Sequence, residues 1–200
     1  MCVALSKMDW TEAALVALAR DGLAGVAVEP LARQLGATKG SFYWHFVDRA
    51  DLIRATVELW EQRETTEVID RIQAIPDPRE RLTALGAGAY ASAARGNAHA
   101  ALLAAASDPR VRLVLERVTR TELAFLEQLY RDLGVPAGRA ARHARLAYAL
   151  FLGIGDLRRA DPDGDPAGRE LDAYLKMAVD VMIPPARATQ RRGVARRPAS

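Results

Sequence analysis

The chain has 200 residues, of which 50% are hydrophobic, 6% aromatic and 26% charged, with a net charge of +3 and a single cysteine. That length supports a buried core in one domain or two small ones, and Ala, Leu and Arg outnumber β-branched residues, which favours helices. No apolar run approaches the ~20 residues of a membrane span, "MCVALSKMDW" is too short in apolar residues for a secretory signal, and Cys2 alone excludes an internal disulfide or a multi-cysteine metal site.

The expected compartment is therefore the cytoplasm. The positive charge does not by itself indicate a polyanionic partner. Arg187, Arg191, Arg192, Arg196 and Arg197 lie in an acid-free tail, and residues 1–183 carry −2 without it. In residues 1–50 five bases face five acids. A nucleic-acid partner has to be argued from where charges sit.

Ser6 followed by Asp9 has the form of a capping box, and Trp10, Ala14, Ala17 and Leu18 recur at helical spacing over residues 7–20. The glycines of "DGLAGVAVEP" end this helix. A short second helix is predicted over residues 28–35, with Pro30 in its first turn and Gly36 closing it in a left-handed conformation. Thr38 caps a third helix ending near Phe46. Asp48 caps a fourth, which reaches about residue 74, where "IPDPRE" stops it.

Further helices are predicted over residues 80–95, 99–106, from "SDPRV" to "DLGVP", over 137–159 and over 167–182. No segment alternates with period two, and "DPDGDPAG" reads as a surface loop. The tail "PPARATQRRGVARRPAS" lacks apolar periodicity and is expected to be disordered. The predicted fold class is all-α with about nine helices.

"TKGSFYWHF" places four of the twelve aromatic residues in five positions. At about 100° per residue, Phe42 and Phe46 share one helix face and can bury against Leu15, Leu18, Leu31 and Leu35. Gly40, Ser41, Trp44 and His45 lie opposite, with Tyr43 at the edge beside Lys39. Periodicity alone leaves open a purely structural aromatic core. A Trp, a His and a Ser turned outward on so short a helix nevertheless call for an outside partner.

The preceding helix and the turn "LGAT" complete a helix–turn–helix, whose second helix enters the DNA major groove. Lys39, Gly40 and Ser41 would lie nearest the base edges, and Trp44 can cover a thymine methyl. Thr38, Tyr43, His45 and Arg49 flank the groove within reach of phosphates.

The stretch "GLAGVAVEPLARQLGATKGSFYWHFVDRADLI" closely resembles the amino-terminal DNA-binding domain of TetR-type transcriptional regulators. The motif match extends over about residues 6–60; the remainder is similar only in helical layout. By resemblance, Tyr43, His45 and Arg49 take phosphate-contacting positions, and Lys39, Gly40, Ser41 and Trp44 take base-reading ones. Two positions depart from the family. Ala27 stands where a capping Thr or Ser is frequent, a loss of roughly 1 kcal/mol. Arg49 stands where Lys is commoner.

The resemblance implies a helix–turn–helix domain over residues 1–50, a ligand-binding and dimerisation domain over 51–183, and an Arg-rich tail over 184–200. The small side chains of the Ala- and Gly-rich stretch 84–106 either let helices approach or leave space between them, and Trp60, Tyr90, Leu102, Phe125, Leu129 and Tyr148 are candidates to line such a space as a mostly apolar effector pocket. His99, Gln128 or Tyr148 would supply its polarity. The last two helices carry Leu146, Ala149, Leu150, Leu152 and Gly153, then Leu171, Tyr174, Leu175, Ala178 and Val181, a pair expected to form a homodimer interface.

The expected function is a sequence-specific DNA-binding regulator, a repressor released by a small, mostly apolar effector. Its partners are a pseudo-palindromic double-stranded operator, the effector and a second copy of the chain, with no membrane. No cofactor and no metal are expected: His45, His99 and His143 lack ligand spacing, and "DPDGDPAG" lacks the terminal Glu of a calcium loop. Two alternatives remain. One is a helical small-molecule-binding protein or enzyme without operator binding; the other places non-specific binding in the Arg-rich tail.

Overall fold

The computed structural model describes residues 5–95 and 98–183. Cys2 and the Arg-rich tail lie outside the described residues. Helix α1 spans Lys7–Asp21, and its Ser6 cap and Asp9 satisfy each other's backbone N–H groups as a capping box. A 3-10 turn, Gly22–Gly25, follows. A Cβ on Gly25 would stand 2.7 Å from the Ala17 carbonyl oxygen, so only glycine allows the chain to fold back onto α1 here.

Helix α2, Val28–Gln34, begins at Ala27 without a side-chain cap. Gly36, at φ 63°, makes the left-handed turn into Thr38, whose hydroxyl accepts from the Ser41 N–H at the start of α3, Lys39–Tyr43. The Asp48 carboxylate caps α4, Arg49–Glu61. A π-helical turn, Gln62–Thr66, joins α4 to α5, Glu67–Gln73. Glu61, Gln62 and Thr66 keep right-handed helical dihedrals, so the three segments form one rod running from α3 into the body. A regular helix to about residue 74 is the sequence expectation; the π turn is the departure from it.

The body contains α6, Pro78–Arg95, α7, Ala98–Ala104, α8, Pro109–Asp132, α9, Ala137–Ala160, and α10, Arg169–Met182. With α4, the π turn and α5 taken as one rod, nine helical rods are present among the described residues, and no strand. The all-α expectation of about nine helices is borne out.

Two apolar clusters hold the molecule together. The first joins Trp10, Leu18, Val26, Leu31, Phe42 and Phe46 of the amino-terminal helices to Leu52, Ile53 and Trp60 of α4, Leu102 of α7 and Val111 to Val118 of α8. The second joins Leu82 of α6, Leu126 to Tyr130 of α8, Ala140 to Ala147 of α9 and Val179 to Ile183. Helix α8 contributes its first half to one cluster and its second half to the other, so it ties the two ends together. No helix among the described residues is long and apolar enough to cross a membrane.

Candidate nucleic-acid interface and internal cavity

Helix α3 ends at Tyr43, short of the expected Phe46, and the turn that continues it over residues 44–46 completes a division of aromatic rings by face. Phe42 and Phe46 are 0% and 2% exposed, stacked at 5.3 Å between centroids, with Trp10 edge-on to Phe42 at 5.4 Å. Trp44 is 87% exposed and Tyr43 57%. An indole left in water contributes no burial energy to the fold and is open to an outside partner. Val47, 83% exposed, extends the apolar surface beside Trp44; the aromatic motif did not single it out. A Cβ on Gly40 would meet only the Thr38 hydroxyl at 3.6 Å. Nothing among the described residues requires glycine there.

The charged members of this face are held by partners elsewhere in the fold. Lys39 Nζ donates to Glu29 Oε1 on α2 at 2.9 Å, a hydrogen bond that raises the ammonium pKa and lowers that of the carboxyl. Arg49 donates from Nε to the Val26 carbonyl and from Nη2 to the Leu23 carbonyl, both at 2.6 Å. It therefore fastens the α1–α2 connection to the start of α4. Nε2 of His45 lies 2.8 Å from the Leu5 carbonyl, which ties α3 to the chain ahead of α1. Thr38 is an exposed cap, and Ser41 is half-buried. The structure brings all eight candidate residues to one end of the molecule around α3.

Among the described residues a cavity of about 550 Å³ lies between the rod, α6, α7, α8 and α9. Trp60, His99, Phe125 and Tyr148, four of the eight effector candidates, are on its wall. Phe125 also borders a shallow cleft of about 250 Å³, and Gln128 and Leu129 line that cleft and not the cavity. Leu102 is fully buried in the first apolar cluster. Tyr90 donates its hydroxyl to the Pro166 carbonyl at 2.9 Å and lies under the Arg158 guanidinium, away from the cavity wall.

The cavity also holds carboxyls that the size argument passed over. Glu122 of α8 accepts from the Thr65 hydroxyl of the π turn at 2.8 Å, and Tyr148 of α9 hydrogen-bonds the same carboxyl. Burial pushes Glu122 up to about 7, against the lowering by those two donors. Tyr148 is itself pushed up to about 12, mainly by burial. His99 packs edge-on to Trp60 at 5.6 Å, and burial lowers its pKa. Glu64 accepts from Ser92 at 2.7 Å. A signal for Glu122 was present: it interrupts the apolar stripe Val111, Leu115, Val118, Phe125 and Leu129 at helical spacing.

The amino-terminal helices thus form a helix–turn–helix with an indole in solvent just past its second helix, joined by one rod to a lined cavity. Residues 11–63 match the family described as bacterial regulatory proteins, tetR family. No curated protein matches the sequence. Among solved structures, reduced NemR of E. coli superposes with a TM-score of 0.70 at 19% identity, covering 88% of this chain and 94% of that one. The fatty acid degradation regulator FadR of Bacillus halodurans gives 0.66 at 14% identity, covering 94% and 99%. FadR of Bacillus subtilis, in complex with stearoyl-CoA, gives 0.64 at 14% identity, covering 89% and 98%. At these identities the likeness is one of fold.

Proposed function

We propose that the protein is a sequence-specific DNA-binding transcriptional regulator, a homodimeric repressor released when a small molecule enters the cavity. The observation that carries this reading is the division of α3 and the turn after it into buried phenyl rings and a solvent-exposed indole. In the DNA complex Lys39, Gly40, Ser41 and Trp44 read base edges, while Thr38, Tyr43, His45 and Arg49 hold phosphates. Arg49 has a second role, positioning α2 through the Leu23 and Val26 carbonyls.

The dimer reading is supported by an apolar stripe left exposed among the described residues. Leu146 and Leu157 of α9 are 70% and 66% exposed, and Met177 and Val181 of α10 are 58% and 78% exposed. Paired across a twofold axis, these faces would place two α3 helices for successive major grooves of a pseudo-palindrome. Light scattering at micromolar concentration should give twice the chain mass; a monomer refutes the pairing.

Coupling runs along the rod. Its first turn, capped by Asp48, abuts α3, and Trp60, Glu64 and Thr65 stand on the cavity wall. A ligand that tilts the rod changes the separation of the two α3 helices. One that prefers the released state by ~100-fold contributes ~2.7 kcal/mol per site, enough to shift a repressor off its operator. Stearoyl-CoA is bound by one protein of similar fold; the ligand class here has to come from this cavity's own side chains.

Selection of bound sequences from a random double-stranded DNA library tests the reading. An enriched pseudo-palindrome is the expected result, and no enrichment overturns it.

A further inference from the structure

The cavity wall has an uneven balance of charge. Its described lining residues include the carboxyls of Glu64, Glu122 and Asp156 against one guanidinium, Arg71. Asp156 is exposed and paired with Arg159, and Arg71 is exposed on α5. Glu122 and Glu64 are held differently. Their hydrogen bonds come from neutral hydroxyls, Thr65 and Tyr148 on Glu122 and Ser92 on Glu64, which orient a carboxylate without cancelling its charge. His99 supplies no countercharge near neutral pH, because burial favours its neutral ring. The rest of the wall is apolar, with Trp60, Val68, Phe125, Leu126 and Phe151 around these groups.

We infer that the cavity takes an amphipathic cation, an alkyl or aryl ammonium whose head sits against Glu122 and Glu64 and whose apolar body lies on Trp60, Phe125 and Phe151. This rests on the cavity being the effector site, and it names the ligand's chemistry. A buried carboxylate without a cationic partner is unfavourable, and an entering ammonium supplies that partner. The indole of Trp60 adds a second surface suited to a cation. An anionic head group would instead meet two carboxyls of its own sign.

Protonation follows the same logic. With Glu122 pushed up to about 7, the empty cavity holds that group largely neutral below pH 7, and a bound cation draws the proton off. The groups facing or bordering it are Glu64 and Thr65 of the π turn, Thr119 of α8, Tyr148, Asp156 and Arg159 of α9, His99 of α7 and Arg71 of α5. Charging His99 at lower pH also repels a cation, so both titrations weaken binding as pH falls.

The test is calorimetric titration of the full chain with decyltrimethylammonium, decanol and decanoate below their aggregation limits. It is run at pH 8 and pH 6, on the wild type, Glu122→Gln and Glu64→Gln. At pH 8 the wild type should bind the cation at least ~10-fold more tightly than the alcohol or the anion. That preference should fall several-fold at pH 6. Glu122→Gln should bring the cation down to the affinity of the alcohol and remove most of the pH dependence. Decanoate bound as tightly as the cation, a cation affinity indifferent to pH, or a preference surviving in both variants would each overturn the ligand chemistry while leaving an effector site. No binding of any of the three probes overturns the effector site as well.

Discussion

The α3 end and the cavity end of this molecule place costly groups in opposite ways. At the α3 end an apolar group, Trp44, is left in water while its neighbours Phe42 and Phe46 fill the core. In the body a polar group, Glu122, is drawn inward among apolar side chains. The buried carboxyl costs stability in the isolated protomer, whereas the exposed indole adds none, and each suits a partner of matching chemistry. On the proposed reading, function is concentrated where the ordinary inside–outside partition is broken.

The sharpest way to break the comparison is within α3 itself. Phe42→Ala should destabilise the fold by ~3–5 kcal/mol, because it empties a fully buried ring site between Trp10 and Phe46. Trp44→Ala, two residues along, should leave the urea midpoint nearly unchanged and abolish the preference for the selected operator over random DNA. If Trp44→Ala lost stability comparable to Phe42→Ala, the outward indole would be structural and the interface assignment would fail.

The body gives a smaller effect with a definite pH signature. Glu122 has its pKa raised from 4.5 to about 7 on folding, so the folded state binds more protons than the unfolded state between those values. Stability from this group is therefore present at low pH and is lost as pH rises through that window. Glu122→Gln should stabilise the unliganded protein by roughly 1–3 kcal/mol at pH 8, with the gain shrinking at pH 5, as measured by urea unfolding. His99 acts in the opposite sense, since a lowered imidazole pKa costs stability as pH falls. It is common to both proteins and cancels in the difference. A gain independent of pH would mean that the carboxylate is not desolvated.

Local signals made the α3 end legible from sequence. The Ser6–Asp9 capping box, the left-handed Gly36, the Thr38 and Asp48 caps and the alternation of rings over residues 42–46 all act within four residues, and each is found. What sequence spacing did not reveal was where its charges attach. The Lys39–Glu29, Arg49–Val26 and His45–Leu5 contacts span 10, 23 and 40 residues and depend on how the helices pack. The body was less legible for the same reason. Choosing large side chains found Trp60, Phe125 and Tyr148, yet size cannot tell that Leu102 turns toward α1 or that Tyr90 bonds the loop before α10. Glu122 was readable as the polar residue in an apolar stripe, but only packing reveals that the stripe faces a cavity. The π turn carries no propensity signal and was missed.

The smallest effect concerns the ion pair between Glu29 and Lys39, which sits on the face assigned to DNA. Both side chains are more than half exposed, at 67% and 57%, so the pair contributes little to folding. Its consequence is for binding: Lys39 must leave Glu29 or share its charge before it can serve a base or a phosphate. Glu29→Gln keeps the size of the side chain and removes that competition. Thermal stability should not change, while operator affinity rises and the slope of log affinity against log salt steepens by at most about 0.9, the value for one added phosphate contact. A gain in affinity on operator and random DNA alike would place Lys39 on the backbone. A gain confined to the operator would place it on a base edge. No change on either would mean that Lys39 stays with Glu29 in the complex and reads nothing, which would leave Gly40, Ser41 and Trp44 to carry sequence discrimination.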